Sequence, residues 1–252
     1  MKTSTSARSP LSPTLWPPSA FVWWGSLLLA FATVGLVFVA LFVFSLVWVL
    51  AFGAASLKHP STMLALGSQA VGVYLPVVVA LGVGLPRLAQ RSLRDLGLRL
   101  PTVGEIGWAL AAAVGMFVAI QVTGALEERL VHSKITETAV DMLKSAHGPA
   151  LALFVTFAVV IAPFVEELVF RGFIFNAFLR YTGPAVAIVL SGLLFGVAHG
   201  DPHSLPAMLP LAAGGMVLAW FYYRTGSLAV TMIAHGTFNL VSVVGLLVFN
   251  LT

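Results

Sequence analysis

Seven long apolar stretches separated by short polar connectors set the pattern of this chain. They occupy about 20–56, 62–85, 103–126, 149–178, 184–199, 205–223 and 227–249. A helix of about 20 apolar residues crosses a hydrocarbon core ~30 Å thick. Each stretch therefore reads as one membrane crossing, and the fold class expected is an all-α, polytopic bundle. The first stretch would make a helix ~50 Å long at 1.5 Å per residue. It exceeds the bilayer but cannot cross it twice. It is read as one tilted or extended span, with Trp23 and Trp24 placed at the interface that tryptophan favours.

Composition agrees with the pattern. Of 252 residues, 59% are hydrophobic and 9% are charged, whereas a water-soluble domain carries roughly 25% charged residues. The net charge is +4, but the Lys and Arg residues are scattered over short connectors and form no basic patch, so no nucleic-acid partner is expected. The chain lacks cysteine, which excludes disulfides, thiolate nucleophiles and Cys-ligated metals together. Carboxylates, imidazoles and hydroxyls remain for any chemistry.

The basic residues speak to orientation. Arg87, Arg91, Arg94 and Arg99 crowd the connector after the second stretch, while residues 127–147 carry mixed charge. With an N-terminus inside, Lys2, Arg8, Arg87, Arg91, Arg94, Arg99, Arg180 and Arg224 fall on the inner side. Lys58, Arg129, Lys134 and Lys144 fall outside, eight against four, as the positive-inside rule requires. Residues 1–18, rich in Ser, Thr and Pro, read as a disordered cytosolic tail. Residues 19–148 read as N-terminal spans and connectors, and 149–252 as the catalytic core of the same membrane domain. Location in the cell membrane, with lipid as a constant partner, is the expectation.

Charge inside these stretches is the anomaly. A charged side chain at the centre of a spanning helix costs ~2.5–3.5 kcal/mol even on insertion scales, yet the fourth stretch contains Glu166-Glu167-Leu168-Val169-Phe170-Arg171. Residues four apart share a helical face, whereas neighbours diverge by about 100°. Glu167 and Arg171 are thus expected to pair as structural support, leaving Glu166 without a mate on its own helix. A carboxyl so placed in low dielectric is suited to act as a general base near neutral pH. The fifth stretch puts Phe195 and His199 on one face, and the seventh does the same for His235 and Asn239. Peptide hydrolysis needs a base for water and donors for the oxyanion. Glu166 with His199 suits the first need, His235 with Asn239 the second. Asp201, His203, His132 and His147 fall in connectors where polar residues are ordinary. Asn176 and Gln121 suit interhelical hydrogen bonds, and Gly214-Gly215 suits close helix packing.

Glu-Glu-x-x-x-Arg, Phe-x-x-x-His and His-x-x-x-Asn, in that order within apolar spans, resemble the CAAX-protease and bacteriocin-processing (CPBP or Abi) family of intramembrane endopeptidases. The resemblance covers about 151–239, including Gly226-Ser227-Leu228 before the last motif. It implies a hydrolase acting on a peptide or membrane-protein substrate, with Glu166 and His199 activating water, His235 and Asn239 as the oxyanion hole, and Glu167 and Arg171 as support. It also implies eight spans where the pattern here gives seven. No cofactor is required on this reading. The alternative within enzymes is a zinc protease with Glu166, His199 and His235 as ligands, a number that suits zinc. The non-enzymatic alternative is a transporter or a scaffold or immunity protein, in which the charges serve as an ion relay.

Overall fold

The computed structural model describes residues 20–54, 61–84, 87, 92–131, 138–199 and 208–249. The tail at 1–18, His132, Asp201 and His203 lie outside them, as do the side chains of Trp23 and Trp24. The regular structure is helical: α1 (Ala20–Phe52), α2 (Thr62–Gly67), α3 (Leu75–Gly84), α4 (Val103–Val131), α5 (Thr138–Ser145), α6 (Pro149–Thr156), α7 (Ala162–Glu167), α8 (Asn176–Thr182), α9 (Pro184–Ala198), α10 (Met208–Thr225) and α11 (Leu228–Phe249). The described residues of each of the seven apolar stretches are largely helical, and the chain is an integral membrane protein. Among the described residues, five helical stretches are long and apolar enough to cross a membrane: Gly35–Phe52, Met63–Gly84, Val103–Leu130, Pro149–Thr182 and Leu228–Phe249. At 15 residues α9 reaches only ~22 Å. The more polar α10 is packed between α9 and α4.

Two of the long helices are not uniform. α2 and α3 are joined by a π-helical segment, Ser68–Tyr74, while α6, α7 and α8 are joined by two more, Phe157–Ile161 and Leu168–Phe175. A π segment widens the turn and turns side chains and carbonyls away from their α-helical directions, a common arrangement at functional sites. Here the third segment begins directly after Glu167.

Small residues let the inner helices touch. A Cβ added at Gly196 would stand 2.3 Å from the Met208 carbonyl oxygen, and one at Gly192 would stand 2.8 Å from that of Ala212. The α9–α10 contact is therefore backbone against backbone, as expected where van der Waals packing must replace the hydrophobic effect. Gly214 likewise admits Ile120 and Met116 of α4.

The described end of the arginine-rich connector, residues 92–102, is a folded cap on one end of the bundle. Thr102 and Glu105 form a capping box at the start of α4: the Thr102 backbone N–H donates to Glu105 at 2.8 Å, and Arg99 also binds that carboxylate. Leu96 is buried among Leu81, Leu168, Phe175, Tyr222 and Leu228. The Tyr222 hydroxyl donates to the Leu96 carbonyl at 2.8 Å and accepts from Asn176 at 3.0 Å. Asn176 thus makes the interhelical bond anticipated for it, whereas Gln121 is exposed. The Leu228 N–H donates to the Gly97 carbonyl at 3.1 Å.

Gly97 sits at φ 86°, and a Cβ there would lie 2.2 Å from the Gly226 carbonyl oxygen. Gly97→Ala is expected to destabilise the folded protein by at least ~1–3 kcal/mol. A thermal melt in detergent would register this as a clear fall in Tm; an unchanged Tm would show that the connector does not close the bundle.

Candidate active site

Glu167 and Arg171 are both fully buried, and their ion pair forms at 2.8 Å. Arg171 Nη1 donates to Glu167 Oε1, and Nη2 donates to the Gly215 carbonyl of α10 at 2.8 Å. Gly215 is tightly placed: a Cβ there would come within 3.0 Å of the Phe195 Cβ. The guanidinium also lies 4.7 Å from the Phe195 ring centroid, a cation–π contact. The pair therefore couples α7 and the following π segment to both α9 and α10.

Imidazoles surround this pair. His235 Nδ1 is 3.0 Å from Glu167 Oε1, and its Nε2 is 3.8 Å from Glu166 Oε2. His199, capping the end of α9, places Nδ1 at 2.7 Å from the Phe195 carbonyl and Nε2 at 3.3 Å from Glu166 Oε2. Its ring packs 4.3 Å from that of Phe195, which also meets His235 edge-on at 5.6 Å. Phe195 is thus a shared wall for Arg171, His199 and His235. Access separates the roles: the side chains of Glu166 and His199 are 13% and 29% exposed, against 0% and 5% for Glu167 and His235.

Geometry fixes a proton inventory. A carbonyl only accepts, so His199 Nδ1 carries the hydrogen that it shares with Phe195. The 3.3 Å contact between His199 Nε2 and Glu166 Oε2 then needs one more proton, on either atom. Two carboxylates and one guanidinium leave a single negative charge, which that proton neutralises. A cluster inside a membrane is stable only when so balanced.

Two partnerships were not legible in the sequence. The Tyr74 hydroxyl, from the π segment between α2 and α3, donates to Glu166 Oε1. Glu166 has no mate on its own helix, yet it has partners on three others. Asn239 Nδ2 donates to the Ala158 carbonyl at 2.7 Å. Ala158 lies in the second π segment, where the Ala162 N–H is spent on Phe157 and Pro163 has no N–H to give back. The carboxamide fills that gap, leaving one amide hydrogen of Asn239 for other use. His147 is exposed near the start of α6, away from the cluster.

Among the described residues, no group of three His, Cys, Asp or Glu side chains is arranged to hold a metal ion. Glu166 Oε1 is engaged by Tyr74, and His235 Nδ1 by Glu167. These contacts leave Glu166 Oε2, His199 Nε2 and His235 Nε2 facing one another, and chelation decides the zinc alternative on Glu166, His199 and His235.

Residues 148–241 match the family model described as type II CAAX prenyl endopeptidase, Rce1-like. The segment is Rce1-like. It contains Glu166, Glu167, Arg171, His199, His235 and Asn239, and it excludes Tyr74. The chain is 29% identical over 142 residues to a Bacillus subtilis protein named "Putative membrane peptidase YdiL", covering 54% of each chain. It is 30% identical over 136 residues to the Staphylococcus aureus "Membrane-embedded CAAX protease MroQ", covering 52% of this chain and 51% of that one. The chain thus spans about half the length of these curated relatives. No solved structure matches it.

Removing one member of a buried ion pair leaves the other uncompensated, at a cost of about 3–5 kcal/mol. Arg171→Met is therefore expected to lower folding yield and Tm together. Asn239→Ala should cost about 1–3 kcal/mol through the orphaned Ala158 carbonyl, read in the same melt. A wild-type Tm in either variant would remove it from the structural frame.

Proposed function

We propose that this protein is an intramembrane endopeptidase, hydrolysing peptide bonds of membrane-associated or peptide substrates with water activated by Glu166 and His199. The observation that carries this reading is the Glu166 carboxylate: partly exposed, held by Tyr74 on one oxygen and facing two imidazoles with the other. The Rce1-like match over the same residues supports it.

In the reaction, water adds to the scissile carbonyl while its proton passes to Glu166 Oε2. The C–O bond forms as the carbonyl π pair moves onto oxygen. The second amide hydrogen of Asn239, joined by His235 in its doubly protonated form because its Nδ1–H is spent on Glu167, stabilises that oxyanion, as donors aimed at developing charge do in acyl transfer. Collapse of the intermediate breaks the C–N bond, and the proton held by Glu166 leaves with the amine. His199 shares a proton with Glu166 and steers the carboxylate through both transfers. Glu167 and Arg171 hold the frame and exchange no proton.

Glu166→Gln keeps size and hydrogen bonding but removes the base, so a folded and inactive protein is expected. Comparing membrane peptides from cells producing the wild type and this variant should show substrates accumulating uncut in the variant. Identical peptide profiles, or ion flux through the reconstituted wild type without cleavage, would replace the protease reading with a transporter.

A further inference from the structure

Resting on that proposed reaction, we infer that Tyr74, from the part of the chain before the Rce1-like match, is a positioning residue of the active site and sets which oxygen of Glu166 acts as base.

The phenol approaches from a different helix than any motif residue. Tyr74 is the last residue of the π segment that precedes α3, so its direction is set by a widened turn. Its ring is 8% exposed and stacks on Phe157 with centroids 5.3 Å apart and planes 9° from parallel. Phe157 opens the second π segment, whose Ala158 carbonyl takes the Asn239 amide. Tyr74 and Asn239 thus bear on the same few residues from two sides. The ring also belongs to the apolar cluster of Leu66, Phe154, Ala162 and Val165. Packing therefore locks the ring, and the hydroxyl is its one polar atom.

That hydroxyl donates to Glu166 Oε1, while Oε2 faces His199 Nε2 at 3.3 Å and His235 Nε2 at 3.8 Å. The two oxygens are consequently not equivalent. Oε1 is held by a donor packed into its pocket, and Oε2 is left to receive the proton from water. Without the hydroxyl, only the imidazole side orients the carboxylate, through His199 at 3.3 Å, and its terminal bond is less firmly fixed where the water and His199 meet. Misplacement on the order of 1 Å can reduce a rate about a hundredfold.

Tyr74→Phe tests this, because it keeps the stacked ring and removes only the donor. The substrate is the membrane peptide that the comparison of wild type and Glu166→Gln identifies, incubated with purified protein in detergent. The expected result is a kcat reduced roughly 10- to 100-fold, with KM within about twofold and Tm unchanged. In a Glu166→Asp background, whose shorter carboxylate withdraws from the phenol, the same change should cost less than about threefold, the non-additivity of residues acting through one another. Wild-type kcat in Tyr74→Phe beside a dead Glu166→Gln would overturn the role of Tyr74 and leave the protease reading intact. A collapsed Tm would make Tyr74 structural and equally overturn it. Full cleavage by Glu166→Gln would sink the proposed reaction and this inference together.

Discussion

The buried ion pair between Glu167 and Arg171 is the constraint on which the rest of this structure depends. Two fully buried charges in a membrane must satisfy one another and their remaining hydrogen-bonding capacity. The pair meets most of that demand by reaching outward, with Glu167 Oε2 and Arg171 Nε left without a hydrogen-bond partner. Arg171 takes the Gly215 carbonyl of α10 and the face of Phe195 on α9, and Glu167 takes His235 on α11. Four helical segments are thereby tied together. The glycines of α9 and α10 allow the approach, because a side chain at 192, 196 or 215 would hold the backbones apart.

Glu166 is the residue this frame presents. Its neighbour Glu167 is directed into the frame, so Glu166 projects elsewhere on the helix and is met by groups from three other elements. The division between a silent glutamate and an exposed one follows from the 100° step between adjacent helical residues. The π segments refine it. The first two place Tyr74 and the Ala158 carbonyl where a continuous α-helix would not, against Glu166 and Asn239.

Much of this was legible in the sequence for identifiable reasons. Seven apolar stretches announce seven helical regions because apolar length is a local property, although among the described residues five prove long and apolar enough to cross a membrane by themselves. The Glu167–Arg171 pair and the Phe195–His199 stack follow from four-residue spacing. Tyr74 gave no signal. A tyrosine in an apolar stretch carries no charge to explain, and its partner lies 92 positions away, set by helix crossing rather than by periodicity. The Asn239–Ala158 bond was hidden for a related reason: its acceptor is freed by a π turn and by Pro163, and hydropathy records neither. The division at residue 149 between spans and catalytic core consequently left Tyr74 outside the segment that was read as chemical.

The central claim is that a carboxylate and imidazoles, on a frame fixed by a buried ion pair, activate water within the membrane. Its most direct test is cleavage by purified protein in liposomes after exhaustive chelation, with new peptide termini identified by mass spectrometry. The account predicts undiminished cleavage by the wild type and none by Glu166→Gln at equal folded content. Cleavage that stops on chelation and returns with zinc, or that persists in Glu166→Gln, would contradict it.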